Sequence, residues 1–203
     1  GDGRTFTAVP GIDAFIYSLA QDRTGRMWFA GRNYLGSYRP GDSAAVAWAP
    51  SRHERFFDIV NDGAGGFWVG TRSGAWRLDV SDPADVRVTQ RVATGDKASG
   101  NEIWSLARTP DGALWMGTER FGVLRWDGTE VRPVDAPSGT APDQVWWLFP
   151  DSRGRVWAGT GGGMLRFQGS AFVTLNEGFS PRSTWTVRRD ERGTMWAAIS
   201  DGR

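Results

Sequence analysis

The chain is predicted to be all-β, a β-propeller segment of four-stranded antiparallel blades, and three observations carry that expectation. A glycine, two variable residues and a tryptophan recur five times: Gly25–Trp28, Gly65–Trp68, Gly112–Trp115, Gly154–Trp157 and Gly193–Trp196. The tryptophans stand 40, 47, 42 and 39 residues apart, and a strand-rich repeat of about 40–45 residues is the length of a propeller blade. Eleven residues before each of them lies an aromatic: Tyr17, Phe57, Trp104, Trp146 and Trp185. Many of the chain's 12 tryptophans are thus packing units, repeated because the blade is repeated; Trp28, Trp68, Trp115, Trp157 and Trp196 are the structural column.

Each unit has the same order of elements. Two residues after the aromatic come Leu19, Ile59, Leu106, Leu148 and Val187, and a spacing of two is the period of a strand. A turn follows, with Asp22, Asp62, Asp151 and Asp190 three residues before the repeated glycine. Asp accepts local backbone hydrogen bonds there, and Gly supplies positive φ. The second strand carries the tryptophan and ends in Gly70-Thr71, Gly117-Thr118 or Gly159-Thr160, and the third is Gly74–Leu78, Gly122–Trp126 or Gly163–Phe167. Asp127-Gly128 is a hairpin signal leading to a fourth strand over Thr129–Val134, where Pro133 suits an outer edge. The expected blades are 15–55, 56–101, 102–143, 144–183 and an incomplete 184–203, with 1–14 supplying the last strand of a preceding blade. The chain thus reads as a piece of a longer protein. A closed five-blade ring would lack one strand.

Net charge is +1 with scattered charges, so no basic face for nucleic acid is evident and none is expected as a partner. Zero cysteines exclude disulfides and thiolate metal sites. No apolar run approaches the roughly 20 residues that cross a bilayer, so the membrane enters only through segments outside this sequence. The single histidine, His53, sits in a polar run (Ser51–Arg55) without the partners that a catalytic base or metal ligand needs. Gly161-Gly162-Gly163 lacks the Lys and Ser/Thr of a phosphate loop. No catalytic set, metal or cofactor is expected.

The aromatic column allows two readings. It lies near the start of the innermost strands, at one mouth of the central channel, where rings could stack on a sugar or another flat ligand. Occupancy in every unit, however, is what blade packing requires. Trp147 occurs in one unit, where the others carry Ser18, Asp58, Ser105 and Thr186, and reads as a ligand contact. The loops after the second strands, with Arg32, Asn33, Tyr34, Arg72, Glu119 and Arg120, vary while their flanks repeat, which is how repeat proteins diversify a binding face. Glu102 and Asp143 lie on that same face and complete the candidate ligand-binding set.

The segments Ile103–Thr118 and Val145–Thr160 resemble two-component regulator propeller repeats, on an Asp-x-x-Gly-x-x-Trp-x-Gly-Thr core followed by a Gly-x-Leu-Arg strand. Units one and five depart at Trp28–Gly31 and Trp196–Ile199. The resemblance implies the sensor or input propeller of bacterial hybrid two-component or diguanylate cyclase receptors, usually a ring of about seven blades. It implies a periplasmic or extracellular place at the bacterial inner membrane, with a neighbouring propeller and a receptor dimer partner. An oligosaccharide or other small ligand is the expected stimulus, since some relatives recognise oligosaccharides. The function expected is therefore non-enzymatic ligand sensing. The alternatives are a protein-docking or dimerisation propeller, or a propeller lyase or glycoside-active enzyme. Streptogramin lyases are similar propellers, but their chemistry uses histidines that this chain lacks.

Overall fold

A computed structural model describes residues 8–12, 15–48, 53–94, 102–137, 144–151, 153–175, 184–190 and 192–199. Among these residues every regular element is a strand. The first sheet contains β1 (Ile16–Gln21), β2 (Met27–Gly31), β3 (Tyr34–Tyr38) and β4 (Val46–Trp48). The second contains β5 (Phe56–Asn61), β6 (Phe67–Thr71), β7 (Gly74–Asp79) and β8 (Arg87–Val92). The third contains β9 (Ile103–Arg108), β10 (Leu114–Thr118), β11 (Val123–Trp126) and β12 (Val131–Pro133). The fourth contains β13 (Val145–Pro150), β14 (Val156–Thr160), β15 (Gly163–Gln168) and β16 (Ala171–Thr174). The last pairs β17 (Thr184–Arg189) with β18 (Met195–Ile199). Within each sheet neighbouring strands are consecutive and antiparallel. First strands pack in series, β1 on β5, β5 on β9, β9 on β13 and β13 on β17, which makes successive sheets propeller blades. The strand expected at the N-terminus falls mainly on residues outside the described set.

The repeated turn closes on its aspartate. Asp151 Oδ1 accepts the backbone N–H of Arg153 (2.9 Å) and Arg155 (3.0 Å), while Oδ2 accepts the indole N–H of Trp157 at 3.2 Å. Asp22 does the same for Trp28 at 2.9 Å and Asp190 for Trp196 at 3.0 Å. In the third blade Thr109 Oγ1 takes the indole of Trp115 at 3.0 Å. In the second, Asp62 caps its turn and turns its other oxygen to Arg77 Nε at 2.8 Å. Burial pushes Asp151 up, but the Trp157 indole and the Arg155 guanidinium outweigh it and hold the carboxyl below its ordinary value.

The column tryptophans face the next blade. Trp28 meets Phe67 at 5.9 Å, Trp68 meets Trp126 at 5.1 Å, and Trp115 meets Phe167 at 4.7 Å. Opposite, the branched apolar column faces the preceding blade: Ile59, Leu106 and Leu148 are each 3% exposed, whereas Leu19 is 61% exposed on the first sheet. Trp196 differs likewise from its four buried counterparts: it is 65% exposed, with no third strand or following blade beside it among the described residues. A side chain packs only where a neighbour stands.

The Gly-Thr that ends the second strands of the three middle blades also has a packing reason. A Cβ on Gly70 would stand 2.5 Å from the carbonyl oxygen of Ile103, and one on Gly159 would stand 2.5 Å from that of Thr184, both in the next blade. The buried threonine hydroxyls then close the following loops: Thr71, Thr118 and Thr160 donate to the carbonyls of Gly74, Gly122 and Gly163, each at 2.9 Å.

Candidate functional site

The first strands pair with the second strands out of step at one position in every sheet. The ladder shifts between Ile16 and Ser18, Phe56 and Asp58, Ile103 and Ser105, Val145 and Trp147, and Thr184 and Thr186. The residue passed over is in each case the column aromatic, so each of those five rings sits on a β-bulge. A bulge re-aims its side chain. Here it turns the rings onto one another across blades: Tyr17 with Phe57 at 5.8 Å, Trp104 with Trp146 at 4.7 Å and 23°, and Trp146 with Trp185 at 4.9 Å and 29°. Trp146 is therefore covered by rings on both sides, and Phe57 and Trp104 on one. The column packs blade to blade, and the open ring faces are those of Tyr17 and Trp185, 49% and 52% exposed.

No ring contact joins Phe57 to Trp104, and charged groups occupy that break between the second and third blades. Arg72 Nε lies 3.1 Å from Glu102 Oε1, and Glu102 Oε2 accepts the indole N–H of Trp104 at 3.2 Å. The Glu119 amide donates to the Glu102 carbonyl at 3.1 Å. Glu54, nearly buried, accepts the amide of Arg72 at 2.9 Å and the Ser73 hydroxyl at 3.0 Å. Arg72 and Glu102 thus meet through their side chains and Glu119 joins Glu102 through its backbone, with Arg120 exposed in the same loop beside Phe121.

Sequence reading missed Glu54 and Trp104 as members of this group. Glu54 stands just before a first strand, as Glu102 does, and that shared placement was the available signal. Arg32 and Asn33 lie on the tight β2–β3 turn of the first blade, where Asn33 has φ 70°. Tyr34 places its ring edge-on to Phe29 at 5.8 Å, inside its own blade. Asp143 lies outside the described residues.

Trp147 lies apart from that group. It is stacked on Phe149 at 5.3 Å and packs with Trp157, Met164 and Ala197, between the fourth and last blades and away from the Arg72–Glu102 group. Its counterparts show what that position does. Ser18 donates to Asp58 Oδ1 at 2.6 Å, Asp58 Oδ2 accepts the Leu106 amide at 2.8 Å, and Ser105 Oγ accepts the Leu148 amide at 3.0 Å. The position is a belt in which one blade's side chain caps a backbone amide of the next blade's inner strand, a group otherwise left at a sheet edge. At this position Trp147 adds apolar packing on Phe149 and on the Trp157–Met164 cluster. Burial pushes the Asp58 carboxyl up against the pull of these donors.

The described residues hold no cluster of His, Cys, Asp or Glu able to bind a metal, and no helix long and apolar enough to cross a membrane. Solved structures share the fold. The extracellular domain of a hybrid two component system from B. thetaiotaomicron matches at TM-score 0.70 and 16% identity, over 94% of this chain and 28% of that one. Virginiamycin B lyase from Staphylococcus aureus matches at TM-score 0.73 and 11% identity, over 94% and 65%. PorZ of Porphyromonas gingivalis, a surface component of the type-IX secretion system, matches at TM-score 0.70 and 18% identity, over 100% and 33%. The chain thus spans between about a quarter and two thirds of the length of these proteins. No curated protein matches it. The family model described as "Two component regulator propeller" matches residues 10–33, 97–120 and 140–162, which cover the first-strand, turn and second-strand cores of three blades in whole or in part. The chain is a β-propeller segment, and three of its stretches match the repeat of the two component regulator propeller family.

Proposed function

We propose that this segment is a non-enzymatic, ligand-sensing input region of a membrane-bound bacterial regulator, standing on the periplasmic or extracellular side. The observation that carries this reading is the Arg72–Glu102–Trp104 group at the break in the aromatic column. There the side chain of Arg72, from a loop that varies between blades, meets Glu102 at the start of an inner strand, beside rings that pack blade to blade. The extracellular placement of a similar regulator domain from B. thetaiotaomicron supports the location. Ligand binding at the mouth changes the relative stability of two blade or subunit arrangements, and signalling follows the population shift.

An oligosaccharide is the stimulus we propose, offering hydroxyls to Arg72 and Glu102 and an apolar ring face to the mouth. The test is thermal melting of the chain against a panel of oligosaccharides, small metabolites and divalent cations. A ligand at about 100 times its Kd adds roughly 2.7 kcal/mol. A shift with one glycan class that Arg72→Ala abolishes supports the reading. No shift with any member overturns it and favours a protein-docking propeller, for which Phe121, 52% exposed in the β10–β11 loop, is the first residue to mutate.

A further inference from the structure

A second site lies on the opposite, tight-turn face, in the groove between the third and fourth blades. Its counterpart between the first and second blades is lined at equivalent repeat positions, so the two can be compared residue by residue. In the first groove Arg23, two residues before the blade glycine, extends its guanidinium to the carbonyl of Gly63 at 2.5 Å, and Val80 forms part of the wall. Arg26 is paired with Asp42 at 2.8 Å, and Arg39 with the Thr24 hydroxyl at 2.5 Å. Its guanidinium groups are thus bonded, and about 290 Å³ remains.

In the second groove Pro110 stands for Arg23, Gly169 for Val80, and Arg153 for Ala64. Two large side chains have become small, and the groove opens to about 630 Å³, within the usual range for small-ligand sites. Arg125 is tied to Asp111 at 3.0 Å, and Arg132 to Glu130. The Asp127 carboxylate takes the Thr129 and Glu130 amides at 2.9 and 3.1 Å. The Arg153 guanidinium has no acceptor among the described residues. Phe167, edge-on to Trp115 at 4.7 Å, and Pro133 give the groove apolar wall.

We infer that the groove between the third and fourth blades binds a small carboxylate carried on a compact apolar body, held by Arg153 and seated against Phe167 and Pro110. A guanidinium fork donates two parallel hydrogen bonds to a carboxylate, and Pro110 and Gly169 leave the room that Arg23 and Val80 fill in the first groove. The site is independent of the channel mouth.

The test is an NMR titration of the chain with benzoate, benzyl alcohol and inorganic phosphate, in parallel with Arg153→Ala and Pro110→Arg. Benzoate is expected to bind. Arg153→Ala, which restores the residue of the second blade at an exposed turn, should weaken it by at least about tenfold, the scale of one lost charge-assisted pair. Pro110→Arg should abolish binding by refilling the groove. Equal affinity for benzyl alcohol, equal affinity for phosphate, benzoate binding indifferent to Arg153→Ala, or no benzoate binding at tens of millimolar would each overturn the assignment. Near-UV circular dichroism checks that each variant is folded, and Arg153→Ala alone suffices should Pro110→Arg unfold.

Discussion

Asp151 does two things at once: one oxygen closes a turn, and the other holds an indole whose ring packs on the next blade. That coupling explains why aspartate and tryptophan keep a fixed spacing through the repeat. Removing an indole removes the packing itself. Trp115, 3% exposed against Phe167 and Phe172, is expected to cost about 3–5 kcal/mol when cut to alanine, measured by urea unfolding.

Asp58 has the opposite electrostatic sign to the turn aspartates. Its folded pKa is raised above the ordinary 3.8, so its contribution is complete below about pH 4 and is lost as pH rises through the raised value. The charged or titratable side chains on the strands packed against it are Tyr17, and Arg108 at the far end of β9; its own bonds come from Ser18, Ser105 and two backbone amides. Asp58→Asn removes this titration. The melting temperature of the native chain, relative to that variant, should therefore rise as pH is taken from 7 to 4. A difference constant with pH would show that Asp58 titrates as an ordinary carboxylate.

Among elements, the second strand decides blade spacing. Its glycine lets the next inner strand approach until a backbone carbonyl occupies the place of a Cβ, and its threonine fixes the loop that follows. Gly159→Ala forces the fourth and last blades apart and is expected to cost about 1–3 kcal/mol, in the manner of an overpacked core. The first blade carries Ala30 at this position, so Ala30→Gly should be mild by comparison. Thermal unfolding of both variants checks the contrast. Equal losses would mean that the contact yields by simple backbone relaxation.

At the scale of the whole molecule, stability follows the number of neighbours a blade has. β9 and β10 are sandwiched between blades, whereas the first sheet exposes Phe15 and Leu19, and the last exposes Trp185 and Trp196. Opening free energies should fall from the middle of the array to its ends, as expected of a structure stabilised by nearest-neighbour interfaces. Hydrogen exchange should therefore be slowest at β9–β10 and fastest at β17–β18. Trp147→Ala should accelerate exchange at β17–β18 ahead of other strands, because its ring packs near Ala197. Uniform protection across the five sheets would contradict this account.

The sequence determined the blade, because the repeat states its period, its turn and its packing tryptophan five times over, and repetition separates what packing demands from chance. It also marked the variable loops from which Arg72 and Glu119 come, and placed Glu102 on the same face. The tertiary structure decided what each position faces. A spacing of two placed Tyr17 and its counterparts on a strand but could not reveal the bulge that turns those rings onto one another. Trp147 stood out in the sequence because it broke a column, and only the tertiary structure showed that the column is a belt between blades, in which its indole packs on Phe149. Glu54 offered only its placement before a first strand, and nothing in the repeat showed which neighbours Arg153 would have. Which carboxylate meets which amide, and which guanidinium is left without a partner, depends on how close one blade stands to the next, and that distance is set by contacts between residues some 40 positions apart in the chain.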